Sequence, residues 1–329
     1  MKKVAINGLG RIGRATMKIV LDEDELSLVA VNDLIPAENL AYLLQYDSVY
    51  GRYDREVSHG EGELVVDGEH YKLFSEKDPA ALPWGDLGVD LVFECTGVFD
   101  KGPDLQKHIQ AGARHVILSA PAKDEDTVTV VHGVNPPDKP PQIFSCASCT
   151  TNCITPVVEV IGRRIGIRKA TMTTIHAYTS TQGIVDGPNK KFRRGRAAAC
   201  NLVPTTTGAA QATGRALPQY AGRFDGVAVR TPVPCGSIAD MVFVTERETS
   251  AEEVNKILSE EAASDRYKGI LGVTEQPLVS TDILHDGRAS IVDLSMTQVV
   301  DKDLLKVMSW YDNEWGYASQ MVRAALATG

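Results

Sequence analysis

The sequence predicts two domains of the α/β class: a doubly wound parallel sheet, then an α+β domain with a mostly antiparallel sheet. The chain has 329 residues, more than one hydrophobic core usually holds. Short apolar strands alternate with helical segments through residues 1–148, which is typical of a parallel sheet. Long strands that alternate apolar and polar residues follow within residues 149–312, which is typical of an antiparallel sheet.

The composition is that of an ordinary globular protein, with 43% hydrophobic and 23% charged residues. No run of 18 apolar residues occurs and the chain begins directly with a strand, so we expect no membrane span and no export. Six cysteines in so long a chain do not resemble a secreted disulfide framework, which favours a reducing cytoplasm. A net charge of −9 argues against dedicated nucleic-acid binding.

A glycine-rich turn joins the first strand to the first helix. The motif Gly8-x-Gly10-x-x-Gly13 leads from apolar residues 4–7 into a helical repeat. Such glycines permit a tight turn, close approach of a pyrophosphate and close packing of helix on strand, as in Rossmann-type domains. Asp33 follows Gly13 by twenty residues, where a carboxylate binds ribose hydroxyls and repels a 2′-phosphate. The pattern predicts NAD rather than NADP, although a helix-capping or turn residue at position 33 is the alternative.

Polar residues follow two further strands of this domain. Thr96 lies near the end of a strand at 89–97, and Ser119 ends a strand at 115–119. Both lie where sheets of this kind bind ligands. The remaining elements predicted in this domain are a helix at 36–45, antiparallel strands within 56–74 and a helix at 104–111.

The second domain is predicted from longer strands. These are expected at 168–178, 226–232, 238–245, 289–299 and 304–311, with helices at 251–263 and 313–328. Residues 180–204 show little hydrophobic pattern and carry five basic residues between 190 and 196. Such a run is usually a solvated face, but a loop this long is usually functional or packed against a partner.

Residues 145–153 read Ser-Cys-Ala-Ser-Cys-Thr-Thr-Asn-Cys and connect a short strand to a helix. Ser148 suits the N-cap, so Cys149 is expected at the helix N-terminus. The dipole and free N–H groups of such a terminus favour an anion, which makes a thiol there a candidate nucleophile. A buried structural cysteine is the alternative.

Taken together, these motifs resemble those of the phosphorylating glyceraldehyde-3-phosphate dehydrogenases, over the whole chain and in the same order. The motifs are Asn7-Gly-Leu-Gly-Arg-Ile-Gly-Arg14, Gln45-Tyr-Asp-Ser48, Ala147-Ser-Cys-Thr-Thr-Asn-Cys153, His176-Ala-Tyr-Thr179, Asp186-Gly-Pro188, Arg196-Ala-Ala-Ala199, Thr207-Gly-Ala-Ala210 and Trp310-Tyr-Asp-Asn-Glu-Trp-Gly-Tyr317. The resemblance implies NAD-dependent oxidation of glyceraldehyde 3-phosphate to 1,3-bisphosphoglycerate, with inorganic phosphate as the second substrate. It also implies a homotetramer in which 180–204, the S-loop, packs between subunits, and a final helix, 313–329, that packs on the NAD-binding domain.

The resemblance also implies residue roles. Cys149 is the nucleophile, which forms a thiohemiacetal and then a thioester, and His176 is the base. A thiolate–imidazolium pair of these two would lower the pKa of Cys149. The two anion sites are lined by Ser148, Thr150, Thr179, Thr207, Gly208 and Arg230. The cofactor is expected to contact Gly8, Gly10, Arg11, Ile12, Gly13, Asp33, Lys77, Thr96, Ser119 and Asn313, and no metal site is expected.

Three departures from the family pattern leave alternatives open. Cys146 replaces the usual Asn and creates a Cys-x-x-Cys with Cys149, so Cys146 or Cys153 could resolve an oxidised Cys149; a small side chain without that role is the alternative. Lys77 replaces the usual Arg near the adenine, and the segment 230–240 differs from the common family sequence, although Arg230 itself is kept.

Two other functions remain possible from the sequence. An erythrose-4-phosphate dehydrogenase would use the same chemistry, but those relatives tend to carry Glu in place of Asp33. A redox-sensing or RNA-binding protein would use Cys146 and Cys149 or the basic loop instead.

Overall fold

A computed structural model describes residues 1–328 and contains two compact units. The first unit comprises Met1–Val130, Pro136–Ala147 and the residues from Met321 onward. The second comprises Val131–Asn135 and Ser148–Gln320. The observed boundary after Ala147 lies one residue before the expected one, and the final helix is divided between the units instead of belonging to the first alone.

The first unit contains a nine-stranded sheet, a separate pair of short strands and several helices. The strands are β1 Lys2–Asn7, β2 Leu26–Asn32, β3 Tyr46–Asp47, β4 Gly51–Arg52, β5 Val57–Gly60, β6 Glu63–Val66, β7 Glu69–Phe74, β8 Leu91–Glu94, β9 His115–Leu118, β10 Val128–Thr129 and β11 Ile143–Ser145. The helices are α1 Arg11–Leu21, α2 Ala37–Gln45, α3 Trp84–Leu87 and α4 Gly102–Gln110. The sheet order is β10-β11-β9-β8-β1-β2-β7-β6-β5, and β3 and β4 pair separately.

The order of this sheet confirms the predicted doubly wound architecture. Strands β1, β2, β8 and β9 pair in parallel and consist mostly of buried apolar residues. The predicted antiparallel strands β5 to β7 extend the same sheet, because β7 pairs in parallel with β2. At the C-terminus, the Lys2 Nζ donates to the carbonyls of Ala325 at 2.6 Å and Thr328 at 2.7 Å.

The second unit is built on a mixed sheet. Its strands are β12 Ile167–Ala177, β13 Val203–Thr206, β14 Phe224–Thr231, β15 Ser237–Thr245, β16 Leu271–Thr274, β17 Ser290–Asp293, β18 Gln298–Val300 and β19 Leu304–Tyr311. Its helices are α5 Cys149–Arg164, α6 Ala209–Ala216 and α7 Ala251–Ala262, and α8 Trp315–Leu326 begins in this unit. Five strand pairs among these residues are antiparallel and two are parallel, so the predicted mostly antiparallel sheet is confirmed.

Helix α5 anchors the core of this unit. Its Ile154, Val157, Val158 and Ile161 are buried at helical spacing and pack into the main hydrophobic cluster. Along β12, β15 and β19, buried and half-buried side chains alternate, so only one face of the sheet is covered fully. No helix within residues 1–328 is long and apolar enough to cross a membrane.

Two predicted segments differ from the structure. The expected strand at 289–299 is two strands, β17 and β18, because a 3₁₀ turn at Leu294–Met296 interrupts it. The predicted loop 180–204 contains a 3₁₀ turn at Phe192–Gly195 and ends inside β13. Helix α6 was not predicted, because its run of small residues carries little apolar pattern.

Candidate active site

The first unit contains a pocket of 330 Å³ at the carboxyl ends of β1, β2 and β8. Five of the predicted cofactor residues line it: Gly8, Gly10, Asp33, Lys77 and Thr96. The other lining residues are not among the predicted cofactor contacts: Asn7, Asn32, Leu34, Glu76, Cys95, Val98 and Phe99. The lining found within residues 1–328 does not include Arg11, Ile12, Gly13 or Ser119.

Each of the three positions in the motif favours glycine for a different structural reason. Gly8 has φ +93°, and a Cβ there would lie 2.7 Å from the Thr96 nitrogen. A Cβ at Gly13 would lie 1.9 Å from the Gly8 carbonyl oxygen, so this glycine lets α1 pack on the turn. A Cβ at Gly10 would meet no atom within 4 Å, which leaves room for a ligand beside the backbone. These features fit a dinucleotide pyrophosphate.

Backbone amides hold the Asp33 carboxylate at the pocket. The Leu9 nitrogen donates to Oδ2 at 2.6 Å and the Ile35 nitrogen donates to Oδ1 at 3.0 Å. The other lone pairs of the carboxylate are available to ribose hydroxyls, while its charge opposes a 2′-phosphate. Asp33 therefore suits NAD.

A buried polar network supports this pocket. Glu94 is fully buried and accepts from the Asn7 Nδ2 at 2.6 Å and the Thr96 nitrogen at 2.8 Å. The Trp84 Nε1 donates to the His108 Nδ1 at 3.0 Å, so the proton of His108 is on Nε2 and faces Glu94 at 3.1 Å. The network fixes Asn7 and Thr96, both of which line the pocket.

The predicted residues outside the pocket are placed by other contacts. Arg11 and Ile12 lie in the first turn of α1, and the Arg11 Nη1 donates to the Asp47 Oδ2 at 2.6 Å. Ser119 directly follows β9 and hydrogen-bonds the Cys95 thiol, whose pKa burial raises to about 12. The structure thus gives Arg11 and Ser119 protein partners.

In the second unit, Cys149 is the first residue of α5, as predicted. Ser148 is the N-cap, and its Oγ accepts from the Thr151 nitrogen at 3.1 Å. Ala147 before it has φ +57°, an uncommon conformation for a residue other than glycine. The turn leaves the Cys149 thiol partly exposed at the helix N-terminus.

His176 lies beside this thiol. Its Nε2 is 3.4 Å from the Cys149 Sγ, and its side chain is buried near the end of β12. Its Nδ1 lies 2.7 Å from the carbonyl oxygen of Ala177. A proton on Nδ1 would be donated to this carbonyl, which leaves the lone pair of Nε2 facing the thiol.

Arg230 is brought to His176 by strand pairing. The two residues are partners in the parallel pair of β12 and β14. The Arg230 Nη1 donates to the Ala177 carbonyl at 2.8 Å and lies 2.5 Å from the His176 Nδ1. Its buried Nε has no hydrogen-bond partner within residues 1–328, so a cationic donor is available to an anion.

Burial governs the electrostatics of the pair. Burial first and the charge of Arg230 second lower the pKa of His176 to about 3. Burial also raises the pKa of Cys149, against the opposing effect of Arg230. The predicted lowering of the Cys149 pKa is therefore wrong for the pair in this structure, because burial disfavours both charged forms; only the transfer of a proton from Cys149 to His176 would create two attracting charges.

Tyr311 was not predicted as a site residue. Its buried hydroxyl lies 2.8 Å from the Thr150 Oγ1 and 2.8 Å from the Thr174 Oγ1. Its ring stands edge-on to His176, with centroids 5.9 Å apart. Tyr311 therefore connects the first turn of α5 to β12 through hydrogen bonds. Its position in the motif at 310–317 is the one sequence feature that could have identified it as a site residue.

The other predicted anion-binding residues lie on separate elements of this unit. The Thr179 hydroxyl, two residues beyond β12, lies 2.9 Å from that of Thr181. Thr207 accepts from the Ala209 nitrogen at 3.2 Å, and Gly208 is the N-cap of α6. The structure thus places Thr207 and Gly208 at a helix N-terminus, which favours anions.

Arg194 is a further cation that sequence reasoning did not assign. Its Nε donates to the Thr205 Oγ1 at 3.0 Å, and its charge lowers the pKa of both His176 and Arg230. It therefore belongs to the electrostatic surroundings of the base. Within the basic run of residues 180–204, the sequence alone does not distinguish it from its neighbours.

The two extra cysteines do not have activated thiols. Cys153 is fully buried, hydrogen-bonds the Ser309 carbonyl at 3.7 Å, and has its pKa raised by burial to about 12. In the first unit, burial also raises the pKa of Cys146. Because a thiolate is the attacking species, these environments favour the structural alternative for both residues.

Comparison with known proteins covers nearly the whole chain. Residues 2–102 match the NAD-binding domain of glyceraldehyde 3-phosphate dehydrogenase, and residues 148–313 match its C-terminal domain. A glyceraldehyde-3-phosphate dehydrogenase of Streptomyces coelicolor is 48% identical over 99% of this chain and 98% of its own. Glyceraldehyde-3-phosphate dehydrogenase 1 of Bacillus subtilis is 48% identical over 98% and 97%. With two domain matches, this identity and the pairing of Cys149 with His176, the chain belongs to the glyceraldehyde-3-phosphate dehydrogenase family.

Proposed function

We propose that this protein oxidises and phosphorylates glyceraldehyde 3-phosphate to 1,3-bisphosphoglycerate with reduction of NAD. The observation that carries the proposal is the 3.4 Å approach of the His176 Nε2 to the Cys149 Sγ at a helix N-terminus. This pair supplies a nucleophile and a base. A sulfur nucleophile forms a thioester, which inorganic phosphate readily attacks.

The chemistry follows from the pair. The Cys149 Sγ bonds to the aldehyde carbon while its proton passes to the His176 Nε2 and then to the carbonyl oxygen, which gives a thiohemiacetal. When bound, NAD supplies the hydride acceptor. As the carbon loses hydride, Nε2 takes the hydroxyl proton and a thioester remains on Cys149. Inorganic phosphate then attacks this thioester, and the departing sulfur recovers the proton from His176.

Arg230 couples anion binding to the base. Its unpartnered Nε can bind a phosphate oxygen while Nη1 stays on the Ala177 carbonyl. A bound phosphate would offset the charge that lowers the pKa of His176, so substrate binding would make His176 a stronger base. We assign Ser148, Thr150, Thr179, Thr207, Gly208 and Arg230 to the two phosphate sites, with Arg194 as an added cation.

We assign the pocket of the first unit to NAD, with the pyrophosphate at Gly8 and Gly10 and the ribose hydroxyls at Asp33. Thr96 and Lys77 also line this pocket. We assign Arg11, Ile12 and Gly13, in the first turn of α1, and Ser119, after β9, to further contacts with NAD. We assign Asn313 to the nicotinamide carboxamide.

We also propose a homotetramer. The face of the second sheet away from α5 carries half-buried apolar residues, including Ile175, Val242, Met308 and Trp310. On the S-loop, Ile184, Val185, Phe192 and Leu202 are each at least 69% exposed, and such a group of exposed apolar side chains is typical of an interaction surface. Further copies of this chain are the proposed partners. The free state of all six cysteines supports a cytoplasmic location.

A steady-state assay tests the proposed reaction. We expect NAD reduction with glyceraldehyde 3-phosphate that requires inorganic phosphate, is much weaker with NADP and is abolished in Cys149→Ser. Faster turnover of erythrose 4-phosphate would assign the other substrate. Turnover without phosphate would refute the second anion site.

A further inference from the structure

One buried serine lies between two proposed parts of the site. Ser237 begins β15 and is 1% exposed. Its Oγ lies 2.8 Å from the Asn313 Oδ1 and 3.1 Å from the Ala177 nitrogen. His176 is the proposed base and Asn313 the proposed ligand of the nicotinamide carboxamide, whereas Ser237 has no role in the proposed reaction.

The direction of these hydrogen bonds is fixed by a neighbouring backbone donor. The Gly236 nitrogen, 3.1 Å from the Asn313 side chain, can only donate, so the atom facing it is Oδ1. Gly236 itself is held in place, because it has φ +86° and a Cβ there would lie 2.2 Å from the Ser280 carbonyl oxygen. Ser237 must therefore donate its proton to Oδ1 and accept from Ala177.

This arrangement orients Asn313. The side-chain hydrogen bonds that it makes within residues 1–328 all end on Oδ1. Its Nδ2 hydrogens are thus the group left to donate to a ligand carbonyl, such as that of a carboxamide. Without the Ser237 hydroxyl, only Gly236 and the weak donor Cys235 would hold the amide in this orientation.

The same hydroxyl holds the residue on which the base depends. Ala177 is fully buried and its N–H donates to Ser237, while its carbonyl accepts from the Arg230 Nη1 at 2.8 Å and lies 2.7 Å from the His176 Nδ1. A shift of Ala177 would move the carbonyl that accepts from a protonated Nδ1, and with it the orientation that turns Nε2 toward Cys149.

We propose that Ser237 is a positioning residue that sets both the amide of Asn313 for the nicotinamide and the imidazole of His176 for Cys149. The inference rests on the proposed function for its Asn313 part. Its His176 part applies to the cofactor-free protein as well.

The test compares Ser237→Ala with Ser237→Thr, which keeps the hydroxyl, and Ser290→Ala as the matched control. Ser290 is also a fully buried first residue of a strand in this sheet, and its Oγ lies 2.7 Å from the Ser309 Oγ. NAD affinity is measured by calorimetry, and the pH profile of Cys149 alkylation by iodoacetamide is measured without cofactor. Circular dichroism and Tm confirm folding.

We expect Ser237→Ala to weaken NAD binding about tenfold, as expected for the loss of one buried hydrogen bond. We also expect slower alkylation of Cys149 at pH 7, because His176 becomes a weaker base. Ser237→Thr should restore both readouts toward those of the parent, and Ser290→Ala should change neither.

Parent-like affinity and an unchanged pH profile in folded Ser237→Ala would overturn the inference, as would equal effects of Ser290→Ala. Asn313→Ala separates the two proposals. If that variant binds NAD like the parent, the assigned role of Asn313 is wrong. If it binds weakly while Ser237→Ala does not, the positioning role alone is wrong.

Discussion

Arg230 lies opposite His176 on adjacent parallel strands, with its Nη1 2.5 Å from the His176 Nδ1. A permanent cation at this distance disfavours protonation of the imidazole. Burial is the largest cause of the lowered pKa of His176, and the charge of Arg230 is the second. The same guanidinium has a buried Nε without a partner among residues 1–328. In the proposed mechanism, an anion bound by Arg230 would therefore also raise the pKa of His176.

His176→Asn should leave the partly exposed thiol of Cys149 without a proton acceptor. Burial raises the pKa of this thiol, so without a proton acceptor the thiol stays protonated at pH 7. It ionises only when the pH rises above the ordinary pKa of a cysteine thiol. Iodoacetamide alkylation at pH 7 should be at least about tenfold slower, and the rate should still be rising at alkaline pH. His285→Asn is the control, because His285 has φ +66°, which Asn tolerates. Equal alkylation profiles for His176→Asn and the parent would contradict the pairing.

Two glycine variants should separate stability from cofactor binding. Gly10→Ala adds a Cβ with no atom within 4 Å, so the fold should keep its Tm while NAD affinity falls about tenfold or more. Gly13→Ala places a Cβ 1.9 Å from the Gly8 carbonyl oxygen and should destabilise the protein by about 1–3 kcal/mol. Thermal unfolding and calorimetric titration measure the two effects. Equal loss of Tm in both variants would show that Gly10 does not face open space.

Tyr311→Phe should lower kcat several-fold, because the Thr150 and Thr174 hydroxyls lose their shared partner beside the first turn of α5. Its stability should fall by about 1–3 kcal/mol. Tyr267→Phe is the matched control: Tyr267 is also fully buried, with its hydroxyl 2.6 Å from the Glu159 Oε2. That variant should lose stability and keep kcat. A kcat that falls equally in both would make Tyr311 a structural residue only.

The S-loop should respond to a charge at its most exposed apolar residue. Phe192→Asp should shift the mass measured by light scattering from that of a tetramer to that of a smaller species. Val128→Asp, at a 45% exposed residue of the first unit, is the control and should leave the mass unchanged. A parent protein with the mass of one chain would refute the tetramer itself.

The local parts of the site could be predicted from the sequence, since they depend on neighbours in the chain. The glycine turn, Asp33 and the Ser148 cap before Cys149 are of this kind. The family resemblance implied the pairing of Cys149 with His176, but the other contacts between distant residues could not be predicted. Arg230 reaches His176 through the register of β12 with β14, and Tyr311 reaches Thr150 across 161 residues. Such pairings are set by tertiary packing, which periodicity does not encode.

The most direct test of the account is the stoichiometry of the first turnover. Enzyme mixed rapidly with NAD and glyceraldehyde 3-phosphate, without inorganic phosphate, should form one NADH per Cys149 and then stop, because the thioester has no acceptor. Added phosphate should release the enzyme into steady turnover, and Cys149→Ser should show no first phase. Continuous NADH formation without phosphate, or a first phase in Cys149→Ser, would contradict the proposed thioester on Cys149.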